Sequence, residues 1–508
     1  MDPDPPAPTP SRSLSPLEEL RREVELGSPA SLGRAVLLLQ RRDLPPSAES
    51  RALTAAAAAI AGRLYPGSVA LPPVEAPADH SYARIIRDIN QGNYQTPSSA
   101  SRDFLEYTLP FLALYNNAAG TGMDAAGTET ARLRQALPHL ERAAALNGES
   151  ALPFLFRAFV LEKTGEGEQA EEAYQRALEL APDCYPAELG LARLYVQKQD
   201  WPRASAIVTE LLRQNSRNGE ALLIRARILL DQGFFQQAQT PLDTYASINT
   251  TNRVYLFLRA RFQAEGNRNR EAAISLLRPL YRANQDDPET ALYLTSLLLE
   301  SSRGEDNDEG RALLARFSGP NASSEALALA ATDSIRRENW RDAKNYLDRL
   351  LPRRRLAGDI LNAWKTERAL GNNAAALAYA RELYNRDNTN EEGITAYVMS
   401  LIDTGRQTEA SRIIDQRLGA AASGTPKSRY YYLRSRTQSG EDAVMNDLRS
   451  ALFEDPRNMD ALVTMFEIYH RRKDERRAVY YLRQALVIAP NNPQLKRYEA
   501  EYRSLLGN

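Results

Sequence analysis

The sequence predicts an all-α fold, a solenoid of stacked antiparallel helix pairs. Three observations carry that expectation. Ala, Leu, Arg and Glu, all good helix formers, dominate the sequence, while runs of Val, Ile and Thr are scarce. Small residues recur at an interval of 34: Ala170, Ala204 and Ala238 share one phase, and Ala158, Ala192, Ala226 and Ala260 share another. The interval persists later, pairing Gly371 with Gly405, Ala376 with Ala410 and Pro456 with Pro490. With 508 residues, 43% hydrophobic and 25% charged, the protein has enough apolar material to bury a core and enough length for several domains or one extended array.

Residues 2–16 are Pro-rich and nearly free of large apolar groups, so they favour an extended tether over a packed core. Helical patterns follow at 16–27, 29–42 and 47–64, broken by Pro45-Pro46 and Pro66-Gly67. Beyond a Pro-rich link at 67–78, helices are expected near 79–91 and 102–116. A Gly/Ala-rich loop then leads to a helix near 129–147. The expected division is a disordered Pro-rich tail at 1–15, an N-terminal helical region at 16–100, a degenerate helix pair at 101–150, a repeat array at 151–491 and a capping helix at 492–508.

Counted from Ala151, the first full repeat places Phe154 at position 4, Ala158 at 8, Leu161 at 11, Ala170 at 20, Tyr174 at 24, Ala177 at 27 and Pro182 at 32, with Arg157 where a Leu is usual. From Tyr185 the same pattern gives Leu191, Ala192, Tyr195, Ala204 and Val208. From Met459 it gives Leu462, Met465, Tyr469, Ala478, Leu482, Ala485 and Pro490, with Phe466 breaking the small-residue rule and predicting a wider helix pair there. This pattern resembles the tetratricopeptide repeat (TPR), specifically over residues 151–506 and only by analogy over 1–100. The resemblance implies a TPR-type α-solenoid. Small residues at positions 8 and 20 let the two helices of a pair approach, and bulky positions fill the gap to the next pair.

The intermediate repeats are weaker. One near 253–287 carries an extra residue in its turn, and one near 289–318 has an acidic stretch, "SSRGEDNDEGR", read as a loop. Near 324–357, Trp340 and Ala343 echo Trp201 and Ala204. Repeats near 357–390 and 391–424 and a shortened one at 428–457 follow, about ten in all. Residues 492–506 suit a polar-faced cap.

The 64 basic and 65 acidic residues give a net charge of −1, without the basic field that nucleic-acid binding needs. Pentatricopeptide-like RNA recognition is the alternative that this balance disfavours. Cys184 is the only cysteine, and His80, His139 and His470 stand far apart, so no intrachain disulfide, metal site or Ser-His-Asp set is expected. No catalytic motif and no cofactor loop is legible, and no segment approaches the ~20 apolar residues of a membrane span. The expected function is a non-catalytic scaffold or adaptor that binds partner proteins and organises a multiprotein complex, with a regulatory subunit of an enzyme complex as an alternative.

The start of the sequence shows no signal peptide. That leaves a cytoplasmic protein, or one whose signal precedes the sequence given. The Pro-rich leader ahead of a solenoid resembles a bacterial envelope lipoprotein with a lipid anchor upstream, and a periplasmic or cell-envelope setting is the favoured expectation.

The resemblance places positions 2, 5, 9, 12 and 13 of each first helix on a concave face. Position 9 holds Arg193, Arg227 and Arg261, and Arg436 in "YYLRSRT" mirrors Arg261 in "LFLRARF". Such arginines could grip an acidic peptide or the C-terminal carboxylate of a partner through bidentate hydrogen bonds. Alternatively they pair with neighbours such as Asp231 and Glu265. Leu155 and Phe159 occupy positions where a carboxylate clamp for chaperone tails needs Lys and Asn, so that ligand class is not supported. Tyr430, Tyr431 and Tyr432, with Tyr480 and Tyr481, read as packing between repeats rather than as an interaction anchor.

Overall fold

The computed structural model describes residues 14–98, 100–118 and 128–502, and among these the regular elements are helices. The Pro-rich tail before Leu14, the middle of the Gly/Ala-rich loop at 119–127 and the end of the C-terminal cap at 503–508 lie outside the described residues. The protein divides into two compact units, Met1–Gly310 and Arg311–Asn508.

In the first unit, helix Pro16–Leu26 starts where a capping box dictates. The Ser15 amide donates to Glu18 Oε2 at 2.8 Å and the Glu18 amide donates back to Ser15 Oγ, with Pro at the first helical position. It ends at Gly27, whose φ of 67° and closeness to Leu152 (2.5 Å from where a Cβ would sit) both require glycine. Serine caps likewise open Pro29–Leu39 and Ala48–Leu64. Helix Ser81–Asn90 follows.

The single helix expected near 102–116 is instead two, Phe104–Thr108 and Phe111–Ala118. Pro110 lacks an N–H and crowds the preceding turn, which ends the first helix. Helix Thr128–Leu146 then leads into the repeats. The core is continuous from Leu20 to Ile228, so these N-terminal helices pack onto the first repeats. Tyr65 is fully buried, donating to Cys184 Sγ at 3.4 Å and meeting Tyr185 edge-on. Burial pushes the Cys184 thiol up to about 11, which makes it a packing residue, not a nucleophile.

The repeat pairs in this unit are Leu152–Thr164 with Gly167–Leu180, Tyr185–Gln197 with Trp201–Gln214, Gly219–Asp231 with Phe235–Ala246, and Arg253–Arg261 with Arg270–Ala283; Pro288–Leu299 follows, and helix Gly304–Phe317 begins in this unit and ends past Gly310. Every alanine of the two 34-residue phases is fully buried, as close helix approach demands. The extra residue of the 253–287 repeat is absorbed as a π-helical turn, Phe262–Gly266. The acidic stretch read as a loop is helical from Gly304 onward. Its acids suit a first turn, and Asp306 is buried against Arg278 (2.8 Å), Arg303 (2.9 Å) and Ser301 (2.6 Å).

The second unit contains Ser324–Arg336 with Trp340–Leu350, Ala357–Ala369 with Asn373–Arg386, Glu391–Asp403 with Gln407–Ala420, Thr425–Ser435 with Glu441–Glu454, and Met459–Arg471 with Glu475–Ile488. Helix Pro493–Glu501 is the last described element, its Tyr498 packing at 4.7 Å edge-on to the fully buried Phe466. The bulky position-8 ring thus fills the seam to the cap, and Tyr502 meets His470 Nδ1 at 2.6 Å. The fold is a TPR-type α-solenoid.

Candidate functional site

The first helices of four consecutive repeats, Leu152–Thr164, Tyr185–Gln197, Gly219–Asp231 and Arg253–Arg261, line a cavity of about 440 Å³ in the first unit. Its walls are apolar, from Tyr115, Phe159, Leu223, Ile224, Tyr245 and Leu258, with Ile248 and Val254 left exposed. Lys163, Glu162, Arg193, Glu220 and Arg227 supply the polar groups.

Arg193 is held on three sides. Its Nε and one terminal nitrogen fork onto Glu162 at 2.8 and 2.9 Å, the other terminal nitrogen reaches Glu220, and Tyr174 donates its hydroxyl to Glu162 at 2.6 Å. Gly190 makes this possible, since a Cβ there would fall 2.2 Å from the Tyr174 ring. Burial alone would raise the Glu162 carboxyl, but the Arg193 guanidinium and the Tyr174 hydroxyl outweigh it and hold it below the ordinary glutamate range. Burial likewise opposes the charge on Arg193, and the carboxylates of Glu162 and Glu220 restore it.

Arg261 repeats the arrangement, with Asp231 at 2.6 Å and Glu265 at 3.0 Å, and Tyr293 donates to Glu265 at 2.8 Å. Arg227 differs: it touches Glu289 at 2.5 Å and only approaches Asp231 at 3.8 Å, with more of its side chain exposed than Arg193 or Arg261. In the second unit Arg436 reaches Asp403 at 3.1 Å. The structure therefore brings Arg193 and Arg227 to one cavity, sets Arg261 in its own ion-pair cluster and places Arg436 in the other unit.

A sequence profile described as "Tetratricopeptide repeat" matches residues 161–228, the stretch that contains Glu162, Arg193 and Arg227. These residues are tetratricopeptide repeats. No curated protein matches the sequence. Solved structures that resemble it include PilW, a widely conserved type IV pilus biogenesis factor, at 22% identity over 42% of this chain and 97% of that one, with a TM-score of 0.35. The Cut9–Hcn1 hetero-tetramer of the APC/C aligns over 95% of both chains at 15% identity and a TM-score of 0.46. YrrB, a TPR protein with an unusual peptide-binding site, aligns over 42% of this chain and 97% of that one at 15% identity and a TM-score of 0.27. Likenesses of this size do not extend to partners or activity.

In TPR register, a carboxylate at position 12 or 13 of one repeat meets the arginine at position 9 of the next. Glu162 precedes Arg193 by 31 residues, Asp231 precedes Arg261 by 30, and Asp403 precedes Arg436 by 33. That spacing is present in the sequence and is the signal that pairs them. Arg227 lacks it, because Val196 and Gln197 fill those positions in the preceding repeat.

Leu155 and Phe159, at the clamp positions of the TPR, are buried. Tyr430 is buried and donates to Glu391 at 2.7 Å, Tyr431 and Tyr432 pack partly buried, and Tyr480 stands exposed. Among the described residues no group of three or more His, Cys, Asp or Glu could hold a metal ion, and no helix is long and apolar enough to cross a membrane.

Proposed function

We propose that this protein is a non-catalytic scaffold that captures a segment of a partner protein in the cavity of the first unit and so organises a multiprotein complex. The observation that carries this is the apolar cavity itself, open beside Ile248 and Val254 and rimmed by Arg227 and Lys163. Its size and composition suit one or two apolar side chains of an incoming peptide, with polar groups fixing direction. Of the four arginines, Arg227 is the one that would meet a carboxylate on the ligand, whereas Arg193, Arg261 and Arg436 shape the repeats. Affinity purification from the native source with mass spectrometry tests the reading, comparing the natural protein with Ile248→Asp/Val254→Asp. A stable protein partner lost in the variant supports it. Recovery of RNA, or a partner retained by a folded variant, sinks it.

A cell-envelope setting is a second proposal, favoured by the Pro-rich stretch at 2–16 ahead of the repeats. Fractionation of the native cells, with the partner as a marker, tests it: recovery in the cytoplasmic fraction overturns it.

A further inference from the structure

The second unit holds a different cavity, of about 570 Å³, lined by Trp340, Trp364, Lys365, Arg368, Asn373 and Asp403. We infer that it is a second binding site, for a partner segment in which an acidic side chain adjoins an aromatic or aliphatic one. This rests on the scaffold reading and gives it a ligand chemistry.

Most of the polar groups here are already paired. Trp364 is nearly buried, donates its indole N–H to Ser400 Oγ at 2.8 Å and carries Arg368 over its ring at 5.8 Å. Arg368 in turn holds Asp403 at 2.6 Å, and Arg436 holds the same carboxylate at 3.1 Å, so one acid serves two guanidinium groups. The Asn373 amide donates to the Asp403 carbonyl at 3.3 Å.

Two polar side chains lining this cavity have no hydrogen-bond partner among the described residues. Lys365 is exposed and makes no hydrogen bond or ion pair among the described residues, and the half-exposed Trp340 indole N–H has no acceptor there. The reason for Lys365 is in the register. It sits at position 9, and the positions that supply a carboxylate to Arg193, Arg261 and Arg436 hold Ile335 and Arg336 in the repeat before it. Beyond Lys365, Arg368 and Arg436 outnumber the one carboxylate they share. Asp460, Arg368 and Arg436 all act electrostatically on Tyr432. An ammonium and an N–H without acceptors, flanked by indole surface, complement a carboxylate with an apolar neighbour. The trough is lined by three successive repeats, through Trp340, Trp364 and Asp403, so the carboxylate is taken to be a side chain within a segment that runs across it.

The test uses the full-length protein with Trp201→Phe, leaving Trp340 and Trp364 as the only indoles. The probe is a synthetic peptide, acetylated and amidated, with Phe between two Glu in a Gly/Ser context. Quenching of the indole fluorescence should report binding that weakens with added salt. Lys365→Met should weaken it about tenfold, Lys365→Arg should retain it, and a Gln-for-Glu peptide should bind about tenfold worse. Equal binding of the Gln peptide, or unchanged affinity of a folded Lys365→Met, overturns the proposal. So does tighter binding of the Gln peptide when it ends in a free carboxylate. Failure here with the native partner still captured through Ile248 and Val254 removes this site alone; failure of capture removes the scaffold reading.

Discussion

Position 9 carries a cation in both units, yet Arg193 and Arg261 of the first unit are spent internally while Lys365 of the second is left free. Around Arg193 and Arg261 the carboxylates of Glu162, Glu220, Asp231 and Glu265 saturate the guanidinium donors. Lys365 occupies the same register with Ile335 and Arg336 where the acids would be. A cation at a groove position is thus a structural or a recognition residue depending on what the preceding repeat presents about 30 residues earlier. Substitutions in each cluster probe that difference.

Arg193→Ala strands Glu162, whose side chain is 3% exposed, beside Tyr174 with only the weaker field of Lys163 to offset its charge. A loss of about 3–5 kcal/mol is expected for a buried pair broken on one side. It should be local, since repeats contact mainly their neighbours, and hydrogen exchange should rise over 152–214 more than elsewhere. The double variant Glu162→Gln/Arg193→Met should recover most of the loss. If the single variant melts with the natural protein, the buried-pair assignment fails.

Gly190→Ala tests the packing that lets this pair exist. The added methyl would overlap the Tyr174 ring, which is fully buried and tied to Glu162. Thermal melts should show a cost of about 1–3 kcal/mol. Gly33→Ala, where a Cβ meets nothing within 4 Å, is the control and should be neutral or slightly stabilising.

The pH dependence follows from the direction of the Glu162 shift. Its folded value lies below its unfolded one, so its contribution is fully present above the ordinary glutamate range and is lost as pH falls through the lower folded value. Between about pH 6 and about pH 3 the natural protein should therefore lose more stability than Glu162→Gln/Arg193→Met. Glu25 has the opposite sign: burial raises its carboxyl, only partly offset by the Asn147 amide and Arg21. Ionised Glu25 thus costs stability above its unfolded value, and Glu25→Gln should stabilise the N-terminal helices at neutral pH. Parallel acid titrations of both variants decide the matter, and slopes equal to that of the natural protein would overturn both assignments.

Much of this is legible in the sequence and some is not, for identifiable reasons. The period of 34 locates the helix pairs because alanines at two phases are the close-approach points, and all of them are buried. Ser15, Ser28 and Ser47 mark three helix starts through local hydrogen bonds. Pro110 is visible, but the apolar pattern runs on through it and hides the helix end that it imposes. The acidic stretch at 304–311 looks like a loop because charge density masks helix propensity, and Arg278, which neutralises Asp306, is 28 residues away. The site divides in the same way: position 9 is readable from spacing, whereas the fate of each cation depends on a residue one repeat earlier.

Arg227 separates the two behaviours within one unit. Its partner Glu289 is half exposed and Asp231 is already engaged by Arg261, so Arg227→Ala should change stability by no more than about 1 kcal/mol. Yet Arg227 rims the apolar cavity, and a ligand carboxylate could replace Glu289 without leaving a buried charge unpaired. Capture of the native partner by Arg227→Ala should therefore fall several-fold while the melt stays in place. Glu289→Gln, which frees the same guanidinium, should strengthen capture. If Arg227→Ala captures as well as the natural protein, the first cavity binds through its apolar walls alone, and recognition of charge passes to Lys365 in the second unit.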